Sequence, residues 1–517
     1  MVKSFNKKEI WQVSLLLIAF LLSLIPVFVM AKYDCASGDD FNYGAAAHLI
    51  FLETGSVIAA IEAAIGTAIS IYHGWQGTWF DCFLFCLHPE VFSDEAYVIV
   101  PYIFIFMQII CYLVFAHHFL KVRWQFNGMY WVKIALLFLM FSIQLVPSQK
   151  MLAFWWVGCI HYVLPMCMAL FGIVAADNFL LTYKLRYLVY LILLGTLIGG
   201  ATYPAALLLP EVVLVLWLER AVVARKVDKR DALLIIPLVL EMIGLVISMK
   251  APGNAARSAF EISHGAKPAG GIIKTIVMSI IFSVKDAATS FIGGKTFVLL
   301  AFVIIAMISW RALTDLKDND PDKMKDVFSH PVLFLVTVFL INASMYAPRL
   351  YSGGRVSTGY LNLNFWVFFL GSISCIVYIE GWLIVQRQLQ LSKKASLIVA
   401  ALTFIVLCIC LYAGRHGIKK YTDYVCLEYY LNGHADDYLI QMKLQRALMT
   451  QQDVTDVVVP EVNLEQGPLM QMPIVSDPTN IDNTMTAKFY GKNSCRSIPR
   501  PEWEALYGPA SKWIGDE

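Results

Sequence analysis

Hydrophobic positions run in long blocks along this chain, separated by short loops that carry most of the charge. The first block, Trp11–Ala31, follows Lys3, Lys7 and Lys8 and is long enough for a helix to cross a hydrocarbon core, which takes roughly 20 residues. A cleaved signal peptide would have an apolar region of only about 7–15 residues ending at a small-x-small site. This block instead runs into Lys32-Tyr33-Asp34, so it reads as an uncleaved span with a cytoplasmic N-terminus. Further predicted spans are Tyr97–Leu120, Trp131–Pro147, Trp155–Phe179, Tyr187–Tyr203, Ala205–Trp217, Ala232–Met249, Thr296–Trp310, Pro331–Ala347, Leu361–Val385 and Ser396–Ala413, about eleven in all. The run Tyr187–Leu218 is too long for one crossing at roughly 1.5 Å per residue. It is therefore divided by a turn near Gly199-Gly200-Ala201-Thr202-Tyr203-Pro204, which leaves both of its basic ends inside.

Two more apolar stretches are read as interfacial or re-entrant helices on the outer face. Val57–Tyr72 is short and alanine-rich, and counting it as a span would move Lys121, Arg123 and Lys133 outside, against the positive-inside bias. Ile272–Ile292 carries Lys285-Asp286, costly at bilayer depth unless buried in protein. With this parity the basic loops are cytoplasmic. The outer loops are the long ones, about 32–95, 250–271 and 348–360, followed by a tail after Gly414. In that tail Asp437–Thr450 has helical spacing, and Asp456-Val457-Val458-Val459-Pro460 reads as a strand stopped by proline.

The predicted architecture is an all-α polytopic membrane protein with outer-face interfacial helices: a transmembrane domain over 1–413, with the acidic first outer loop at 32–95, and a small extracytoplasmic α/β or α+β domain over 414–517. Composition agrees. The chain is 58% hydrophobic and 15% charged, against about 45–50% and about 25% in soluble proteins, which excludes soluble enzyme classes. A net charge of +2 leaves no basic surplus for a nucleic-acid backbone. The eleven cysteines form no CxxC pair or zinc spacing; outer Cys35, Cys82, Cys86, Cys426 and Cys495 permit disulfides.

Candidate chemistry gathers in the outer loops. Ser37-Gly38-Asp39-Asp40-Phe41-Asn42-Tyr43 sets two adjacent carboxylates just outside the first span, suited to a general base or a metal anchor, although Gly-Asp-Asp is also ordinary composition for a solvated turn. Trp75 and Trp79, beside Gly74 and Gly77, suit a sugar ring, a lipid groove or a plain interfacial belt, the last being the commonest. In Gly158-Cys159-Ile160-His161-Tyr162, the lone His161 is more often a packing residue than an acid or a ligand. Lys250-Ala251-Pro252-Gly253-Asn254-Ala255-Ala256-Arg257 and Pro348-Arg349-Leu350-Tyr351-Ser352-Gly353-Gly354-Arg355 place guanidinium groups beside glycine. That arrangement fits phosphate recognition, or snorkelling to headgroups.

On these residues the chain resembles the GT-C superfamily of polytopic glycosyltransferases, and more closely a bacterial branch related to the GtrII-type glucosyltransferases. The resemblance rests on Asp39-Asp40 with Phe41 and Tyr43, Trp75-x-Gly77, Gly158-x-x-His161-Tyr162-x-x-Pro165, Pro252-Gly253-Asn254-x-x-Arg257, the Arg355 loop, and Asp477-Pro478-Thr479-Asn480-Ile481-Asp482-Asn483 with Lys488-Phe489-Tyr490-Gly491 in the tail. The pattern departs at Thr78, where an arginine is expected, and at His161, where asparagine is expected.

The resemblance implies a polyprenyl-phosphate-linked sugar donor, an extracytoplasmic glycan, lipid or cell-wall polymer acceptor, and no nucleic acid. It implies Asp39 or Asp40 as the base that takes the acceptor proton. It gives Arg257, Arg349 and Arg355 to the donor phosphate, and Tyr43, Trp75, His161, Tyr162 and Asn254 to the sugar or acceptor. An inverting displacement is the simplest chemistry; a divalent cation, Mg or Mn, is compatible with it. The rival expectation is a transporter or flippase for a lipid-linked glycan, with Glu211 and Glu241 as its deepest acidic candidates.

Overall fold

The computed structural model describes residues 7–223, 225–267, 270–319, 327–354, 356–463, 465, 467–469 and 472–514. Its helices follow the hydrophobic blocks: α1 (Lys7–Ala31), α2 (Asp39–Thr54), α3 (Val57–Gly74), α4 (Trp79–Phe85), α5 (Val100–Ala116), α6 (Tyr130–Gln144), α7 (Trp156–Thr182), α8 (Leu185–Ile198), α9 (Tyr203–Leu218), α10 (Ile235–Met249), α11 (Gly253–Ser263) and α12 (Ile272–Asp286). After these come α13 (Phe297–Asn319), α14 (Pro331–Ser344), α15 (Ala347–Ser352), α16 (Thr358–Gly381) and α17 (Lys393–Gly414). The chain is thus a mostly helical, multi-pass membrane type: ten helical segments among the described residues are long and apolar enough to cross a bilayer.

Trp156–Thr182 is the central post, with 78% of its apolar window buried, whereas Lys393–Gly414, with 11%, lies at the periphery. Helices α5, α8, α9 and α16 surround α7. Outward faces stay apolar, as at Leu22, Ile58, Leu193 and Leu397, because the surrounding solvent is hydrocarbon. The expected break inside Tyr187–Leu218 falls at Gly199–Thr202, between α8 and α9.

The ten segments and the eleven spans expected from hydropathy are not the same set. Val57–Gly74, expected outside the bilayer from the positive-inside bias, and Ile272–Gly293, expected outside it because of Lys285-Asp286, both meet the length criterion. Tyr130–Gln144 and Leu185–Ile198 are shorter helices, and α9 stops at Leu218.

The tail builds α18 (Thr422–Leu431), α19 (His434–Met449), β1 (Asp456–Pro460), α20 (Ile481–Phe489), β2 (Ser494–Ile498), α21 (Arg500–Tyr507) and α22 (Ser511–Ile514). Strands β1 and β2 pair in parallel, Asp456 opposite Ser494 and Pro460 opposite Ile498, with α20 in the crossover between them. The expected helix and strand are therefore both present. A small core of Leu448, Val457, Val459, Ile474, Cys495 and Trp503 holds this unit. It also shares the main core, to which it gives Tyr429, Tyr438 and Phe489. All eleven cysteines are free thiols, so none of the disulfides that the outer loops permit is formed.

Candidate functional site

Helix α2 opens with Asp39 and Asp40 in its first turn, where the partial positive charge of a helix N-terminus favours carboxylates. The motif is not the solvated turn its composition also permits: Asp40 is completely buried. One carboxylate oxygen accepts from the Tyr97 hydroxyl at 2.6 Å and the Ser37 amide at 3.2 Å, and the other accepts from the Val157 amide at 3.2 Å. Burial pushes Asp40 up to about 8, while these donors pull it back. Asp39 is half-buried and has no hydrogen-bond partner among the described residues. Burial raises it to about 6, the Asp482 charge adding to the rise and the Arg257 guanidinium opposing it. The two acids therefore differ in kind, one locked into the scaffold and one open to a ligand.

A second set of residues comes from two loops that interlock. The Gly77 amide donates to Asn254 Oδ1 at 3.0 Å, and Ser248 Oγ donates to the Gly77 carbonyl at 2.6 Å. A Cβ on Gly77 would lie 1.8 Å from the Ser248 carbonyl oxygen, and one on Gly253 would lie 2.3 Å from the Trp75 nitrogen. Only glycine permits this approach, so the Trp75-x-Gly77 and Pro252-Gly253-Asn254 elements form one platform. From it Arg257 reaches Gln76 Oε1, and Gln76 Nε2 donates to Thr78 Oγ1 at 3.1 Å. Arg257 thus comes from α11 to the neighbourhood of Thr78. Its charge acts on Asp39 and Tyr43 of α2, Cys82 of α4 and His161 and Tyr162 of α7.

His161 closes the third side. Its Nδ1 lies 2.6 Å from Oδ2 of Asp81, a fully buried carboxylate whose pKa burial raises well above the ordinary range. Asp81 orients the ring and leaves Nε2 for other partners. Sequence reasoning missed Asp81, although a lone carboxylate inside the apolar run Trp79-Phe80-Asp81-Cys82-Phe83 was a readable signal. Tyr97, Gln76 and Glu90 carried none.

Asp39, Asp40, Tyr43, His161, Tyr162, Asn254 and Arg257 thus gather at one end of the bundle. Trp75 stands at the edge, its ring 5.4 Å from that of Phe260 and 6.0 Å from the Arg257 guanidinium. Arg349 sits in an aromatic setting of its own. It packs at 5.4 Å over Phe282 and 5.7 Å over Tyr360, and Tyr360 in turn lies within electrostatic reach of Tyr162. Its buried Nε has no hydrogen-bond partner. Arg355 lies outside the described residues. Among those residues no three His, Cys, Asp or Glu side chains gather into a metal-binding set.

The tail roofs this end. Phe489 of α20 stacks on His48 at 4.0 Å and tilts against Phe41 at 4.8 Å. Lys488 Nζ donates to Asn42 Oδ1 at 3.3 Å, and the Met472 amide donates to Ser37 Oγ at 2.7 Å. Asn480 caps α20, while Asn483 Nδ2 donates to the carbonyls of Val475, Asp477 and Cys495, so this tail motif builds the turn that presents α20. Of the deep acids, Glu211 accepts from Ser344 at 2.7 Å, and Glu241 is buried where α8 and α10 meet at Gly195. No protein-family model and no curated protein matches the chain.

Proposed function

We propose that this chain is a membrane glycosyltransferase of GT-C type, moving a sugar from a polyprenyl-phosphate donor to a hydroxyl of an extracytoplasmic glycan, lipid or cell-wall polymer. The observation that carries the reading is the meeting of Asp39, a carboxylate without a hydrogen-bond partner among the described residues, with the Arg257 guanidinium and the Asp81–His161 pair at one end of an apolar bundle. That end is assigned to the outer side of the membrane, which leaves the basic loops and the N-terminus in the cytoplasm.

In this mechanism Asp39 takes the acceptor hydroxyl proton. The acceptor oxygen bonds to the anomeric carbon as the bond from that carbon to the phosphate oxygen breaks, and the electron pair leaves with the phosphate. Arg257 meets the negative charge that develops there. An acid near 6 is ionised at neutral pH yet remains a stronger base than an ordinary carboxylate. Asp40 is a positioning residue, since its lone pairs already serve Tyr97 and two amides. Arg257 supplies the cation absent at Thr78, and Arg349, with its unpaired Nε, serves the donor further along. Tyr43, Tyr162, Asn254 and His161 line the sugar site, with Trp75 at its edge.

The test uses the full chain in lipid nanodiscs with polyprenyl phosphates carrying different hexoses and pentoses, together with an envelope glycan extract, and follows the release of free polyprenyl phosphate. The reading expects release from one donor, lost in Arg257→Ala. If no donor is consumed, or if Arg257→Ala turns over like the native chain, the reading fails.

A further inference from the structure

At the end of the bundle opposite Asp39 lies a cavity of about 540 Å³, within the roughly 300–1,000 Å³ range of ligand pockets. Helices α5, α6, α7, α9, α14 and α16 all line it, and its walls are almost entirely apolar. It has a side door. Helices α9 and α14 touch where Ser344 Oγ donates to Glu211 at 2.7 Å, while further along Val215 and Leu218 of α9 and Leu333 and Thr337 of α14 line the void. Leu218, Val222 and Leu333 line it and are also 42%, 67% and 57% exposed, so the cavity opens sideways onto the hydrocarbon-facing surface.

Its depth matches one leaflet. His330 and Ile341 both line it, and their separation along α14 is roughly 16 Å, half of a hydrocarbon core about 30 Å thick. Its rim is polar and electrically mixed. Arg123 Nη2 meets Glu219 Oε2 at 2.6 Å, both side chains partly exposed, and exposed His330 also lines the cavity. Behind them buried Asp177 takes His118 Nε2 at 2.6 Å and Arg123 Nε at 3.5 Å. One accessible cation beside one accessible anion complements a head group that carries a phosphate and an ammonium together.

We infer that this cavity holds one acyl chain of a zwitterionic phospholipid from the adjoining leaflet, its phosphate against Arg123 and its ammonium against Glu219. The site is separate from the acidic-pair end, and its occupancy does not depend on the reaction proposed there. The bound lipid fills a void that would otherwise weaken the packing of α9 and α14 on the bundle.

The test is native mass spectrometry of the delipidated full chain, loaded separately with phosphatidylethanolamine, phosphatidylglycerol or undecaprenyl phosphate. One retained phosphatidylethanolamine per chain is expected, severalfold favoured over the other two. Thr337→Trp, which plugs the side door, should lose the adduct, and Thr337→Ser should keep it; Val215→Trp serves if the first variant does not fold. Glu219→Gln should keep a bound lipid but lose the preference for phosphatidylethanolamine over phosphatidylglycerol. Three results would overturn the inference: no retained lipid, equal retention in the plugged variants, or retention of undecaprenyl phosphate alone.

Discussion

Arg446 of α19 ties the tail to the loop that carries the acids, and removing it is a quantitative test of how the roof is held. Its Nη2 lies 2.9 Å from Glu90 Oε1, while the other oxygen of Glu90 accepts from the Ala36 amide at 3.0 Å. Glu90 is 1% exposed and the Arg446 side chain 20%, so the pair is desolvated. Arg446→Met keeps most of the apolar stem but leaves a buried carboxylate unpaired, a change that costs about 3–5 kcal/mol in such pairs. Burial already raises the pKa of Glu90, with the Arg446 charge opposing that rise, so the variant lifts it further.

The sign follows from linkage. A carboxylate whose folded pKa exceeds its unfolded one contributes most stability below the unfolded value and loses it as pH rises through the folded value. The deficit of Arg446→Met should therefore be smallest near pH 4.5 and largest near pH 8, and Glu90→Gln in the same chain should recover part of it. Thermal unfolding in detergent, paired with tryptic release of the tail, reads both effects. Equal deficits at the two pH values, or native stability in the single variant, would refute the argument.

Three further outcomes follow from the same geometry. Gly38 has φ +54° and ψ −105°, and a Cβ there would lie 1.8 Å from Met472 Sδ, so Gly38→Ala should loosen the tail; pairing it with Met472→Ala should restore protease resistance only in part, because backbone strain of about 1–3 kcal/mol and the 2.8 Å approach to the Met472 Cβ remain. The native transfer rate should fall as pH drops below about 6, where Asp39 takes up a proton, and a flat profile from pH 5 to pH 8 would remove Asp39 as the base. Asp81→Asn should lower turnover by about 2–10-fold by altering the buried hydrogen bond that orients His161, while a rate equal to the native one would make the pair a packing feature.

The elements were legible where hydrophobicity is continuous and turns are marked. The break at Gly199–Thr202, the strand Asp456–Pro460 and the helix His434–Met449 all follow local pattern. The candidate site was half legible. Glycine beside aromatic or basic residues pointed to the Trp75 and Asn254 loops, but nothing in either loop shows that they interlock through Gly77 and Gly253. Asp39 and Asp40 look equivalent in sequence; their environments come from Tyr97 and Val157, 57 and 117 residues away. Long-range partners of this kind, Glu90 with Arg446 among them, are fixed by packing and leave no local pattern.

The most direct measurement is a mass-spectrometric comparison of surface glycans from cells lacking this protein, complemented with the native chain, Asp39→Asn or Asp40→Asn. The account predicts that one sugar mass vanishes without the protein, returns fully with the native chain, returns in part with Asp40→Asn and stays absent with Asp39→Asn. Full return with Asp39→Asn would contradict it, and would move the protein toward transport of a lipid-linked glycan.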